Sequence, residues 1–135
     1  MKLSRLLLAP FFGAFLLIAE TPRFKVVTYN LENYLVERSG TRVPKPEAAR
    51  RKVTETLTTI RPDVLAIQEI GPTNALLELQ SRLRQAGLDL PHWEHVSGYD
   101  TNIFVAVLSR FPIVARRPHS QENFLLEGRR FETSR

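Results

Sequence analysis

Apolar residues fall in short blocks separated by polar turns, and their spacing changes from block to block. Phe24 to Leu31 (FKVVTYNL) is rich in β-branched and aromatic residues and apolar on both faces near its middle, which predicts a buried central strand. Glu47 to Ile60 places Ala49, Val53, Leu57 and Ile60 at helical spacing, with Arg50, Arg51, Lys52 and Glu55 elsewhere, which predicts a helix over one sheet face. Pro62 ends that helix, because its ring disfavours helical backbone in the preceding residue, and Val64 to Ile67 opens a second buried strand that closes at Gln68-Glu69. Pro72-Thr73-Asn74 offers a capped start for a second helix, whose stripe of Ala75, Leu76, Leu79, Leu83 and Ala86 stops at Gly87. Trp93 to Val96, Ile103 to Leu108 and Ile113 to Ala115 predict further strands. Beyond Ala115 the chain reads as polar and irregular up to Phe124-Leu125-Leu126.

The order strand, helix, strand, helix, strand, strand indicates an α/β layered fold without internal repeats. Ahead of it stands a leader. Lys2 and Arg5 precede an apolar run from Leu6 to Ala19, interrupted by Pro10 and Gly13 and shorter than the roughly 20 residues that span a bilayer as a helix. Residues 1–22 are therefore expected to be a signal peptide or N-terminal anchor. Export, periplasmic or secreted, follows as the expected localisation, and Leu17, three positions before the cut after Ala19, leaves anchoring open as the alternative. The chain has no cysteine, so an exported fold here rests on its core or a metal and has no disulfide to lean on. A net charge of +5 and a pI near 10.1 suit phosphate-bearing partners, although pairs such as Arg50-Arg51, Arg116-Arg117 and Arg129-Arg130 more often mark solvated faces.

Two carboxylates carry the chemistry. Glu32 and Glu69 each follow a buried-type strand, with Asn30 and Asn33 beside the first and Gln68 beside the second. Strand ends are where side chains leave the core of an α/β layer and converge on a ligand. Carboxylates brought together by neighbouring strands repel unless a cation lies between them, and an oxygen-only donor set suits Mg²⁺ or Mn²⁺ better than zinc. The competing reading makes both residues ordinary strand-end polar groups.

The segments VVTYNLEN (26–33), RPDVLAIQEI (61–70) and NIFVAVLSRFPI (102–113) resemble, in order and spacing, three signatures of the endonuclease/exonuclease/phosphatase superfamily. The resemblance implies the N-terminal half of a four-layered α/β sandwich, with mixed β-sheets flanked by helices, so residues 23–135 are expected to be the N-terminal portion of such a domain, truncated at the C-terminus. It implies a phosphoric ester hydrolase, nuclease or phosphatase in type, using Mg²⁺ or Mn²⁺. Glu69 matches the family's metal-binding glutamate, Asn30 the catalytic asparagine that arranges metal and phosphate, and Glu32 a second acidic position near the metal. Tyr99 and Asn102 fall in a loop that approaches the substrate in relatives, although many relatives carry glycine where Asn102 stands, and Arg135, or alternatively Arg129, matches a substrate-side arginine near the next strand. The Gly-Asp-Phe-Asn-like and Ser-Asp-His segments of relatives do not occur in residues 1–135, so this stretch alone is expected to be inactive.

The expected partner is a phosphate-ester substrate, with nucleic acid among the candidates, no obligate protein partner, and membrane contact only through the leader. The alternative is an exported noncatalytic module that binds acidic surfaces. A membrane-facing phospholipid diesterase would need an apolar surface hairpin, and none stands out. His92 and His95 are predicted on opposite faces of a strand and His119 in a polar loop, so none is expected as a ligand. No GxSxG, Walker loop or zinc spacing appears, which removes the common serine-hydrolase, nucleotide-hydrolase and metalloprotease readings.

Overall fold

The computed structural model describes residues 23–98, 100–117, 119 and 122–132. The leader, Tyr99 and Arg135 lie outside them. The element order is β1 (Val26–Tyr34), α1 (Glu47–Ile60), β2 (Val64–Ile70), α2 (Thr73–Gln85), β3 (His92–Val96), β4 (Phe104–Ser109), β5 (Asn123–Leu126) and β6 (Arg129–Glu132). The first four strands form one mixed sheet in the order β1-β2-β4-β3, with β1 parallel to β2 and the other pairs antiparallel. An α/β layer with a mixed sheet backed by helices is the outcome, in agreement with the pattern of the sequence.

Alternation along the strands sends Leu65, Ile67, Ala106 and Leu108 to one face, where they meet Val53 and Leu57 of α1 and Ala75, Leu76, Leu79 and Leu83 of α2, all buried. The opposite face carries Val26, Thr28 and Asn30 of β1 beside Val64, Ala66 and Gln68 of β2, and Val105 and Val107 of β4. These residues are exposed or only half-buried. That differs from the expectation for β1: among the described residues it lies at an edge of the sheet, with Val26 59 % exposed, whereas β2 takes the interior place. An apolar run reports residues that fit a half-buried pleated surface, and it does not count flanking strands.

The helix ends are set by backbone geometry. Arg61 takes a left-handed φ of 53° and its N–H returns to the Leu57 carbonyl at 2.8 Å, ending α1 just before Pro62. At the end of α2, Gly87 (φ 82°) donates to Arg84 and Leu88 to Leu83, so the last carbonyls are satisfied while Leu88 is buried. The start of α2 differs from expectation, since Pro72 is the N-cap and no side chain caps the helix. Below the sheet, buried Asp63 accepts the Lys25 N–H at 2.8 Å and pairs with Arg110 at 2.5 Å. The aspartate of the Pro-Asp-Val motif thus ties the starts of β1 and β2 to the end of β4.

Two differences concern the last third of the chain. Residues 113–115 form no strand, and Val114 is 95 % exposed; Pro112 just before them has no N–H to give a ladder. After the stretch read as irregular, residues 123–132 fold into a β5–β6 hairpin for which no strands were expected, with Phe124 opposite Phe131 and stacked on it at 5.7 Å. Its two-residue turn is Glu127-Gly128, both at positive φ (50° and 75°), the backbone that hairpins favour. Glu-Gly is a weaker signal than Asn-Gly, hence the miss.

Candidate active site

β1 and β2 run parallel in register from Val26 opposite Val64 to Asn30 opposite Gln68, so their C-terminal ends emerge side by side. Both strands then lose register, between Asn30 and Tyr34 and between Gln68 and Ile70. The irregularities coincide with left-handed backbone at Glu32 (φ 51°), Asn33 (φ 57°) and Glu69 (φ 59°). Non-glycine residues rarely adopt such values, each costs about 1 kcal/mol or more, and they concentrate at ligand sites. A regular strand would send residue 69 to the helix-covered face with Ile67. The kink instead releases its carboxylate to the strand end while Ile70 returns to the core.

Asn30 joins the two kinks. Its Nδ2 donates to Glu69 Oε1 at 3.2 Å, and its Oδ1 accepts the backbone N–H of Glu32 at 2.9 Å. One side chain therefore spans both strand ends and orients one carboxylate. Gln68 adds a cross-strand bond, its Nε2 donating to Thr28 Oγ1 at 2.8 Å. Gly71 fixes the approach of the next segment. Its N–H donates to the Tyr34 carbonyl at 2.8 Å, and a Cβ there would lie 3.0 Å from that oxygen and 3.1 Å from Ala75 Cβ.

Of the residues singled out by sequence, Asn30, Glu32 and Glu69 are brought together at these strand ends. Asn102 is placed in a turn, where Oδ1 accepts the Ser39 hydroxyl at 2.8 Å and its N–H donates to Asp100. Its side-chain oxygen is thus engaged within the protein. His92 and His95 fall on opposite faces of β3, and His95 packs on Phe104 with Nε2 3.1 Å from the Gly71 carbonyl. His119 pairs with Glu122 in an exposed segment.

Sequence reasoning missed a second charged cluster, across the helices. Glu78 of α2 accepts the Tyr34 hydroxyl and an Arg50 N–H, each at 2.8 Å, and also pairs with Arg82. Arg82 binds Glu47 with two bonds of 2.7 Å, and Arg50 reaches Glu47 at 2.9 Å. Arg82 holds the exposed Glu47 carboxyl below its ordinary range, while burial, then the bond to Glu78, pushes the Tyr34 hydroxyl well above the usual phenol range. The only hint in the sequence is Arg50, Glu78 and Arg82 at positions beside the apolar stripes. Also missed was the exposure of the hairpin's apolar residues, with Phe124 53 %, Leu125 72 %, Leu126 56 % and Phe131 42 % accessible.

Oxygen donors only, on two adjacent strand ends of a helix-backed mixed sheet, define an α/β protein whose site is suited to a hard cation or a phosphate ester. The model of the Endonuclease/Exonuclease/phosphatase family matches residues 27–135, and the chain belongs to that family. Phosphoester hydrolysis of the nuclease or phosphatase type is accordingly its general class of activity. No curated protein and no solved structure matches the chain.

Proposed function

We propose that this chain carries the metal side of a Mg²⁺- or Mn²⁺-dependent phosphoesterase site, with Glu69 as principal ligand, Glu32 as a second carboxylate and Asn30 aligning metal and phosphate. The carrying observation is the Asn30 bridge between two left-handed strand ends. The donors are carboxylate and amide oxygens, which fit a hard divalent ion. No group of three or more His, Cys, Asp or Glu able to hold a metal occurs among the described residues, so Glu69 and Glu32 would supply part of a coordination shell completed by amides, water and substrate oxygens.

A bound divalent ion would polarise a phosphoryl oxygen and stabilise charge on the leaving oxygen. The chain's own residues would do the positioning. Asn30 Nδ2 keeps the Glu69 carboxylate turned to the strand ends, and the Glu32 backbone is pinned through Asn30 Oδ1. Residues 1–135 hold no Gly-Asp-Phe-Asn or Ser-Asp-His segment to handle the attacking water, and we propose that they do not turn substrate over alone. In the same reading the sheet is one half of a four-layered sandwich whose second half covers Val26, Val64, Ala66, Val105 and Val107, and the leader directs export.

The hairpin favours a lipid-borne phosphodiester as a second substrate reading, since four apolar side chains stand exposed on it beside Arg129 and Arg130. The test has two arms. Mn²⁺ binding to this chain is followed by electron paramagnetic resonance, and hydrolysis by the complete reading frame is assayed on plasmid DNA, a chromogenic diester and diester-bearing vesicles. Glu69→Gln should abolish Mn²⁺ binding and hydrolysis with the thermal transition retained. Wild-type affinity and turnover in Glu69→Gln would refute the assignment.

A further inference from the structure

Behind the two strand ends, a second set of contacts joins three segments that no motif connects. Residues 39–42 form a tight turn, with Ser39 and Arg42 exchanging backbone hydrogen bonds at 3.2 and 3.0 Å around Gly40 at φ 58°. From that turn the Arg42 side chain reaches in two directions. Its Nε donates to Asn33 Oδ1 at 2.9 Å, and a terminal nitrogen donates to Asp100 Oδ2 at 3.0 Å. Asp100 is anchored in turn, because its other oxygen accepts the N–H groups of Asn102 and Ile103 at 2.8 and 3.3 Å. Those N–H bonds, then the Arg42 charge, keep its carboxyl below the usual range. Ser39 Oγ closes the ring by donating to Asn102 Oδ1, and Gly40 lies so near that a Cβ would come within 3.3 Å of that oxygen.

Asn33 is the second of the two consecutive left-handed residues that kink β1 just before Tyr34, and Glu32 is the first. Left-handed backbone at two adjacent non-glycine residues is unfavourable by itself and persists only where surrounding contacts over-determine it. Arg42 supplies such a contact on one side of the kink, through Asn33. Asn30 supplies the other, through the Glu32 N–H, and Lys45 Nζ holds the Glu32 carbonyl at 3.0 Å. A guanidinium suits this post because its fork of fixed donors can serve an amide oxygen and a carboxylate at once. A lysine ammonium, one compact charge on a flexible stem, does not span both in fixed geometry.

We propose that Arg42, braced by Asp100, is a positioning residue for the strand-end site: it locks the Glu32-Asn33 kink and thereby sets where Glu32 and the Asn30 bridge to Glu69 stand. The inference rests on the reading of these strand ends as a metal site only for its effect on metal. The positioning itself has a metal-independent readout. Amide resonances of the whole 135-residue chain are compared between wild type, Arg42→Ala, Arg42→Lys and Asp100→Asn, and Mn²⁺ titrations are run on the same samples. In Arg42→Ala the Glu32 backbone amide and the Asn30 side-chain amide should shift or broaden, and Mn²⁺ affinity should fall about tenfold, as for loss of a partner that orients a ligand. Arg42→Lys, which keeps the charge, should restore thermal stability without restoring the two resonances. Asp100→Asn, which removes the charge that braces Arg42, should shift the same resonances by less.

Unmoved Glu32 and Asn30 resonances in both folded Arg42 variants would overturn the proposal. So would full rescue of resonances and affinity by lysine, since charge alone would then suffice. The metal reading fails separately, by wild-type Mn²⁺ affinity in Glu69→Gln, and that result leaves the resonance test standing. If Arg42→Ala does not fold, Arg42→Lys and Asp100→Asn decide the matter.

Discussion

Glu47 and Glu78 on the helices, and Glu32 and Glu69 on the strand ends, are carboxylates of one small fold held by different means. The helix pair faces Arg50 and Arg82, two cations for two anions, with Tyr34 donating a further bond. The Arg82–Glu47 and Arg50–Glu78 pairs draw α1 to α2 and the Tyr34–Glu78 bond draws β1 to α2, while Arg50–Glu47 and Arg82–Glu78 brace each helix from within. At the strand ends the Asn30 side chain donates to the Glu69 carboxylate and accepts the Glu32 backbone N–H, and the backbone is left-handed at Glu32 and Glu69. An arginine neutralises a carboxylate and locks it into the fold, whereas an amide orients a carboxylate and leaves its charge in place. The first arrangement spends its charges on cohesion. The second holds its carboxylates on backbone with unfavourable φ values.

The strongest way to break this contrast is to remove the hub of the helix cluster. Glu78→Ala leaves Arg50, Arg82 and the Tyr34 hydroxyl without their shared acceptor in a region only about a quarter exposed. Loss of one partner from so enclosed a set should cost about 3 kcal/mol in thermal or urea denaturation. Mn²⁺ affinity of the folded fraction should stay at its wild-type value. A parallel loss of metal affinity would show that the two clusters are coupled, and the contrast would fail.

Gly71→Ala sharpens the comparison because it strikes the junction between the clusters. The new methyl would meet the Tyr34 carbonyl at 3.0 Å and Ala75 at 3.1 Å, and the first is backbone that cannot swing aside. Overpacking of this kind should cost about 2 kcal/mol. Here stability and Mn²⁺ affinity should fall together, since Gly71 lies two residues past Glu69 and forces β1 and β2 apart at the site. Unchanged stability would mean that the strand ends tolerate separation.

The contrast also explains what was legible in the sequence. Both helices and the cores of β1 to β4 follow from local periodicity, as Val53 and Leu57 or Leu76, Leu79 and Leu83 show, because burial of one face is a short-range pattern. Asn30, Glu32 and Glu69 were visible as polar residues directly after such strands. The left-handed turns that release them were not, since neither Glu nor Asn at those positions announces a positive φ in the way a glycine does. The Glu47, Arg50, Glu78 and Arg82 cluster was unreadable for another reason. The pairs that join its two helices span 28 and 35 residues, and on each helix alone the same residues look like ordinary solvated charges. The edge position of β1 and the β5–β6 hairpin likewise depend on which segments meet in space. Sequence motifs marked Asn30, Glu32 and Glu69, and long-range contacts decide how these strand ends are held.

The smallest and most selective perturbation is Tyr34→Phe, which deletes one hydroxyl from the helix cluster. Its bond to Glu78 is 2.8 Å long, and its loss should cost about 1 kcal/mol at neutral pH. The pH dependence is the sharper readout. Burial and the Glu78 carboxylate raise the folded hydroxyl above the ordinary phenol pKa of about 10, so the folded state resists losing that proton while the unfolded chain gives it up. The stabilisation is therefore complete below pH about 10 and is lost as pH rises from there toward the raised folded value. Wild type should lose stability more steeply than Tyr34→Phe above pH 10, so that the gap between them narrows or reverses on the alkaline side. Denaturant midpoints of the two proteins at a series of pH values measure this directly. Parallel curves would remove Tyr34 from the cohesive cluster, and with it the link that ties the strand carrying Glu32 to the helix pair.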